Sequence, residues 1–308
     1  MRRPVRMPAV AGSFYPEEPR RLAAEVQALL EQARPPRGGR PLALIVPHAG
    51  FAFSGLIAAD GWRQAQGHRY ALVVLLGTNH TAGFFTGISV FLGSGFRTPL
   101  GVVQVDEQAA SALLAADRDC SSDPAPHERE HSIEVQLPFV QTVLPGASIL
   151  PVIVSDEDPP LCARLGVALA NVLADRRALI VASSDLSHFP SYKDAVAADC
   201  AVLTAMARLD PDGLRETIAR EEGAGRRGLD TCACGLAPVL AAMAAARTLG
   251  ATRGTVISRA SSGDAPPGDH ARVVGYGAIL FTAGEPGADL SALDEPAHVP
   301  RPAPRSRR

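Results

Sequence analysis

Apolar residues recur along this chain in two periods, and their alternation sets the fold expectation. Residues 17–33 (EEPRRLAAEVQALLEQA) mix charged and apolar positions at helical spacing and stop at the breaker PPRGG. The run LALIV that follows is uninterrupted, as a strand buried on both faces must be, and it halts at Pro47. FSGLIAADGWRQAQ reads as a helix and YALVVLLGTNH as a second buried strand. A less regular stretch over 82–105 holds the β-like pieces GISVFL and GVVQVD. Helices are expected over 106–116 and 131–143, then the strand SILPVIVS, a helix over 159–174 and the strand ALIVASSD. Two alanine-rich helices, 193–209 and 232–249, precede the final strands GTVISRAS and ARVVGYGAILF.

Continuous apolar strands separated by helices predict one α/β domain with a central, largely parallel or mixed sheet flanked by helices on both faces. No internal repeat and no linker interrupts the chain before residue 283, so the domain is expected to span 1–283. Residues 284–308 are rich in Pro, Gly and charge and are expected to form a disordered tail.

Composition narrows the function. Of 308 residues 46% are hydrophobic and 20% charged, ample for a sizeable core. Apolar runs such as Leu42–Val46 and Ala71–Leu76 are far short of a membrane span. The opening MRRPVRMPAVAGSFYP has no continuous apolar segment, so neither a signal peptide nor a membrane partner is expected. A net charge of −2 offers nucleic acid no electrostatic attraction. Lys193 is the only lysine, which leaves a lysine nucleophile or a phosphate loop ending in GK[ST] almost nowhere to sit. Five irregularly spaced cysteines argue for reduced thiols and a cytoplasmic chain, with Cys162 and Cys200 as small core residues.

Candidate chemistry gathers where apolar strands end, the edge at which open α/β sheets bind ligands. Three predicted strands finish in histidine-bearing polar motifs: IVPHAG (His48), VLLGTNH (His80) and IVASSDLSH (Asp185, His188). A lone strand-end histidine is commonly structural, but three such ends point to a site. Gly50, Gly55 and Gly77 are expected to let the backbone turn and approach a ligand. Imidazole ligates Zn, Fe and Cu and also moves protons near neutrality. DTCACGLAP places Cys232 and Cys234 at the start of a predicted helix, whose positive end lowers a thiol pKa and favours a thiolate ligand or nucleophile. The alternative is two small residues packing a helix end. Residues 127–131, HEREH, match the zinc-peptidase signature H-E-x-x-H. Pro124 and Pro126 start the helix inside that motif and no third ligand follows, so this reading is set aside. G-x-S-x-G and G-x-G-x-x-G are both absent, which removes the signals for an α/β-hydrolase elbow and a dinucleotide site.

Seven segments in order resemble the Memo-like family, known in bacteria and archaea as AmmeMemoRadiSam system protein B. They are PAVAGSFYP (8–16), VPHAGFAFSG (46–55), LGTNH (76–80), EHSIEVQLPF (130–139), SSDLSH (183–188), CGLAP (234–238) and VVGYGAILF (273–281). Glu130 and His131 then open the EHSIE motif, with His127 incidental; the roles of His131 and Glu134 stay open. The resemblance implies a fold similar to class III extradiol dioxygenases and a divalent or redox-active metal (Fe²⁺, copper or Zn²⁺). Its ligands would be His48, His80 and Cys234, Cys234 being favoured over Cys232 by the CGLAP match. His188, oriented by Asp185, matches the acid/base position. Cys234 stands where the dioxygenases use a carboxylate, and its thiolate, the softer donor, widens the choice of metal. Thr78 replaces a frequent proline. The family implies either a metal-dependent oxidoreductase or a non-catalytic metal- or peptide-binding protein. It also implies a small-molecule or peptide ligand and a functional link to a radical-SAM protein.

Overall fold

The computed structural model describes residues 3–266 and 268–300. Its first half runs β1 (Val5–Arg6), α1 (Pro19–Gln32), β2 (Pro41–Val46), α2 (Phe51–Arg63), β3 (Leu72–Gly77) and β4 (Ile88–Val90). There follow β5 (Gly95–Thr98), β6 (Gly101–Gln104), α3 (Glu107–Ala116), β7 (Cys120–Ser121), α4 (Ala125–Glu128) and α5 (Leu137–Val143). Next come β8 (Ser148–Val154), α6 (Pro159–Leu173), β9 (Ala178–Ser183) and α7 (Tyr192–Ala207). The chain closes with α8 (Pro211–Gly223), α9 (Leu236–Thr248), β10 (Arg253–Ser261), β11 (Gly275–Thr282) and β12 (Gly287–Asp289).

Nine strands form one mixed sheet in the order β12-β10-β11-β2-β9-β3-β8-β4-β7. Its centre, β2-β9-β3-β8, is parallel, and antiparallel neighbours flank it. Alternation along each central strand explains why these strands are apolar throughout. Ala43 and Ile45 of β2 face α6, α7 and α9, while Leu44 and Val46 face α1, α2 and α5. Both faces are covered, so the predicted α/β architecture holds, in its mixed rather than fully parallel form. Among the described residues no helix is long and apolar enough to cross a membrane.

Helix starts follow local chemistry. Glu18, ahead of Pro19, accepts from the Arg20 and Arg21 amides, and Asp106, Asp158 and Ser191 cap α3, α6 and α7 in the same way. The expected helix over 131–143 is shorter, a 3₁₀ turn over Glu134–Gln136 that feeds α5. Helix α8 was not anticipated; it is strongly polar and buries only Leu214, Thr217, Ile218 and Glu221.

The expected tail from 284 is ordered as far as the structure describes it. β12 pairs with β10, Ala292 is buried, and His298 Nδ1 lies 2.7 Å from Oδ2 of the buried Asp60. Sheet-edge pairing and the hydrogen bond to Asp60 supply the order that composition alone did not suggest. Residues 301–308 of that expectation lie outside the described residues.

Candidate metal centre

Register brings three strand ends to one place. Val46 pairs with Ser183 and Leu76 with Ala182 across β2-β9-β3, so the polar residues that follow project from the same sheet edge. His48, Asp185 and His80 therefore meet although they are far apart in sequence. Cys234 arrives from the loop before α9, held by a 3.0 Å bond from the Gly235 amide to Ser184 Oγ. A Cβ at residue 235 would lie 2.4 Å from the Ser183 carbonyl, so only glycine lets this loop approach so closely. Gly77 plays a similar part: a Cβ there would lie 2.5 Å from Ser132 Oγ. Gly55 packs α2 against Leu29 of α1. These glycines make room for protein rather than for a ligand, which corrects the sequence expectation at Gly55 and Gly77.

One ligand atom each from His48, His80 and Cys234 lie within 4.8 Å of one another. His48 Nε2 is 3.2 Å from Cys234 Sγ. The three donors run from a buried floor at His48 to an exposed rim at His80. His80 Nδ1 lies 2.9 Å from Glu130 Oε1 and its amide donates to Oε2, so Glu130 fixes the ring and leaves Nε2 bare. This carboxylate–imidazole arrangement is the usual support of a metal-bound histidine.

His80, Glu130 and His131 form a second group with metal-like spacing. Glu130 Oε1, however, already accepts from the His131 and Ser132 amides as well as from His80 Nδ1. Its lone pairs are committed, so it orients histidines rather than holding an ion. Burial pushes the Glu130 carboxyl up, but the hydrogen bond and charge of His80 outweigh this and hold it down to about 2. His131 stacks on His80 with ring centroids 4.6 Å apart and meets Phe14 at 4.8 Å in a tilted contact. Burial lowers its pKa to about 4.

Two site expectations change. Cys234 precedes α9 by two residues, and burial, reinforced by Asp185, raises its thiol pKa; the helix does not lower it. Asp185 does not hydrogen-bond His188. Its Oδ1 accepts from the His48 amide at 2.7 Å and the Ala49 amide at 3.3 Å, and burial pushes its carboxyl up to about 6. His188 Nδ1 instead donates to the Leu186 carbonyl at 2.9 Å, which leaves Nε2 as the free lone pair. His48 is kept neutral by burial and then by the neighbouring His80, His131 and His188.

Cys232 is fully buried in the core and is not among the donors that gather with His48 and His80. His127 is also removed from it: its Nε2 lies 3.1 Å from Ser89 O and Oγ, and α4 ends at Glu128 before His131 is reached. HEREH is no peptidase motif.

The EHSIE segment divides its labour. Glu130 serves the histidines, while the fully buried Glu134 accepts from Tyr15 Oη at 2.6 Å, from the Ala9 and Val10 amides, and from Arg6. Glu134 thereby ties the N-terminal PAVAGSFYP segment down and lays Phe14 on His131. Neither role is visible in residue spacing; the signal was the recurrence of two acids in a segment otherwise destined for the core.

A family model described as Memo-like protein matches residues 6–280. A MEMO1 family protein of Methanopyrus kandleri is 34% identical over 91% of this chain and 99% of its own length. Those of Aquifex aeolicus and Thermotoga maritima are 36% and 35% identical, each over 90% of this chain and 99% of their own. Among solved structures, an uncharacterized protein of Escherichia coli K12 shares the fold, with a TM-score of 0.51 at 12% identity, over 78% of this chain and all of that one. The chain belongs to the Memo-like protein family.

Proposed function

We propose that this protein holds one metal ion between His48 Nε2, His80 Nε2 and Cys234 Sγ, and acts as a metal-dependent oxidoreductase on a small molecule. One observation carries the reading: three donors lie within 4.8 Å while both imidazoles have Nδ1 engaged by protein partners. The donor set fits an ion chemically, since two neutral imidazoles and a thiolate suit iron, copper or zinc and leave room for a further ligand. When bound, iron or copper would supply Lewis acidity and electron exchange, and zinc Lewis acidity alone. The chain's own residues supply the proton chemistry. His188 Nε2 is the base that takes a proton from a substrate hydroxyl. His131, whose ring stacks on His80, is a second group able to pass a proton at the cluster's rim. Asp185 fixes the backbone at His48 and acts on His188 through its charge.

A second reading, a non-catalytic metal- or peptide-binding protein, is favoured by the sulfur donor, which suits Cu(I) or zinc held without turnover. Either reading places a small-molecule or peptide ligand above the cluster. The family's bacterial name supports a functional link to a radical-SAM protein. Metal analysis of untagged protein, followed by oxygen uptake with catechol-type compounds, separates the two. Turnover by the iron-loaded protein that is lost in His188→Ala supports the enzyme. Tight Cu(I) binding with no uptake supports the binder.

A further inference from the structure

We infer that Trp62 fixes the tautomer of His48 from a distance, through Gln136 and Ser183, so that a bare Nε2 always faces Cys234. The inference rests on the proposed metal site and adds positioning residues that do not touch the ion.

The proton directions follow link by link from what each group is able to do. An indole N–H only donates, and Trp62 Nε1 lies 2.9 Å from the Gln136 side chain, so the amide oxygen must face it. The Gln136 NH₂ is thereby turned the other way. It donates to the Pro47 carbonyl at 2.8 Å and to Ser183 Oγ at 3.0 Å. Ser183 Oγ lies 2.7 Å from the Ser132 carbonyl, an acceptor only, so the hydroxyl proton is spent there. A hydroxyl has one proton and two lone pairs, and Gln136 occupies one of those pairs. The remaining lone pair faces His48 Nδ1 at 3.1 Å, which must therefore carry the imidazole proton. Nε2 is left as a lone pair, 3.2 Å from Cys234 Sγ.

Trp62, Gln136, Ser183 and His48 are all buried, so water is kept from rewriting this pattern. The opposite tautomer would leave Nδ1 without a proton against a hydroxyl already donating elsewhere, two acceptors facing each other in a dry interior. Gln136 also grips the Pro47 carbonyl, directly before His48, so the same side chain positions the backbone and the ring. Trp62 is the chain's single tryptophan and lies within α2, between His48 and His80 in the sequence, and touches the ring only through Gln136 and Ser183.

The test uses full-length protein with ¹⁵N-labelled histidine, free of metal and at fixed pH, read by long-range ¹H–¹⁵N correlation. Wild type is expected to show His48 protonated at Nδ1 only. Ser183→Ala should populate both tautomers and weaken Zn²⁺ binding about tenfold or more, as loss of an outer partner does. Ser183→Thr, which keeps the hydroxyl, should restore both readouts. Trp62→Phe frees the Gln136 amide to rotate and should shift the tautomer in the same direction as Ser183→Ala. A wild-type spectrum with the proton on Nε2, or an unchanged tautomer in Ser183→Ala, overturns the relay. An unchanged tautomer in folded Trp62→Phe removes Trp62 from it. Because the spectrum is taken without metal, a wild type that shows the Nδ1–H tautomer yet binds no Zn²⁺ would leave the relay standing and sink the metal reading alone.

Discussion

Replacing Glu134 by alanine should unfasten the N-terminal segment and cost more stability than any other single change in the EHSIE motif. Its carboxylate and the Arg6 guanidinium form an ion pair with side chains only 0% and 4% exposed. Tyr15 Oη and the Ala9 and Val10 amides donate to the same carboxylate. Burial raises the Tyr15 pKa, with Glu134 adding to the shift, so the phenol keeps the proton it donates. Alanine strands a buried guanidinium, which costs about 3–5 kcal/mol, and orphans three donors at about 1 kcal/mol or more each. Against a total stability of about 5–15 kcal/mol the loss is large. Glu134→Gln keeps the shape but loses the charge, and should fall between wild type and alanine. Urea unfolding followed by Trp62 fluorescence measures this as a drop in midpoint at unchanged slope. A loss below about 1 kcal/mol for Glu134→Ala would refute the reasoning, because a stranded buried charge cannot be that cheap.

Glu130→Gln should lower Zn²⁺ affinity about 10–100-fold by loosening His80, measured by competition with a chelator, while the fold survives. Buried Asp199, which accepts from the Ser187 amide, has its carboxyl pushed up to about 7 by burial. The folded state therefore holds its proton more tightly than the unfolded chain does. Its contribution is greatest in acid and is lost as pH rises through about 7, and Asp199→Asn should flatten that part of the stability profile. His298→Ala should cost about 1–3 kcal/mol by unpairing one oxygen of buried Asp60, and should speed proteolysis of the segment after β12; equal stability and protection would refute it.

Legibility in the sequence followed physical range. Strand ends were readable because a strand covered on both faces must be apolar and any polar residue beyond it stands out, as at His48, His80 and Asp185. Helix α8 is hidden in the sequence because its buried positions, Leu214 and Ile218 among them, are diluted by charge. Glu130 and Glu134 are four apart, but the helical turn begins only at Glu134, so they point to different tasks. The raised pKa of the Cys234 thiol is not legible in the sequence because its burial depends on a loop pressed against β9, a contact no local pattern reports. The C-terminal segment is held by pairing of β12 with β10 and by the His298 contact with Asp60, 238 residues away, and composition reports neither.

Isothermal titration of wild type and Cys234→Ala with Zn²⁺, across pH and in buffers of different ionisation enthalpy, tests the metal centre most directly. His48 is already neutral, while burial keeps the Cys234 thiol protonated at neutral pH, so the ion must displace that proton. The account predicts a single ion per chain, bound more tightly as pH rises, with about one proton released from the thiol. Cys234→Ala should bind more weakly and release fewer protons. Identical affinity and proton release in the two proteins would contradict it and remove Cys234 from the site.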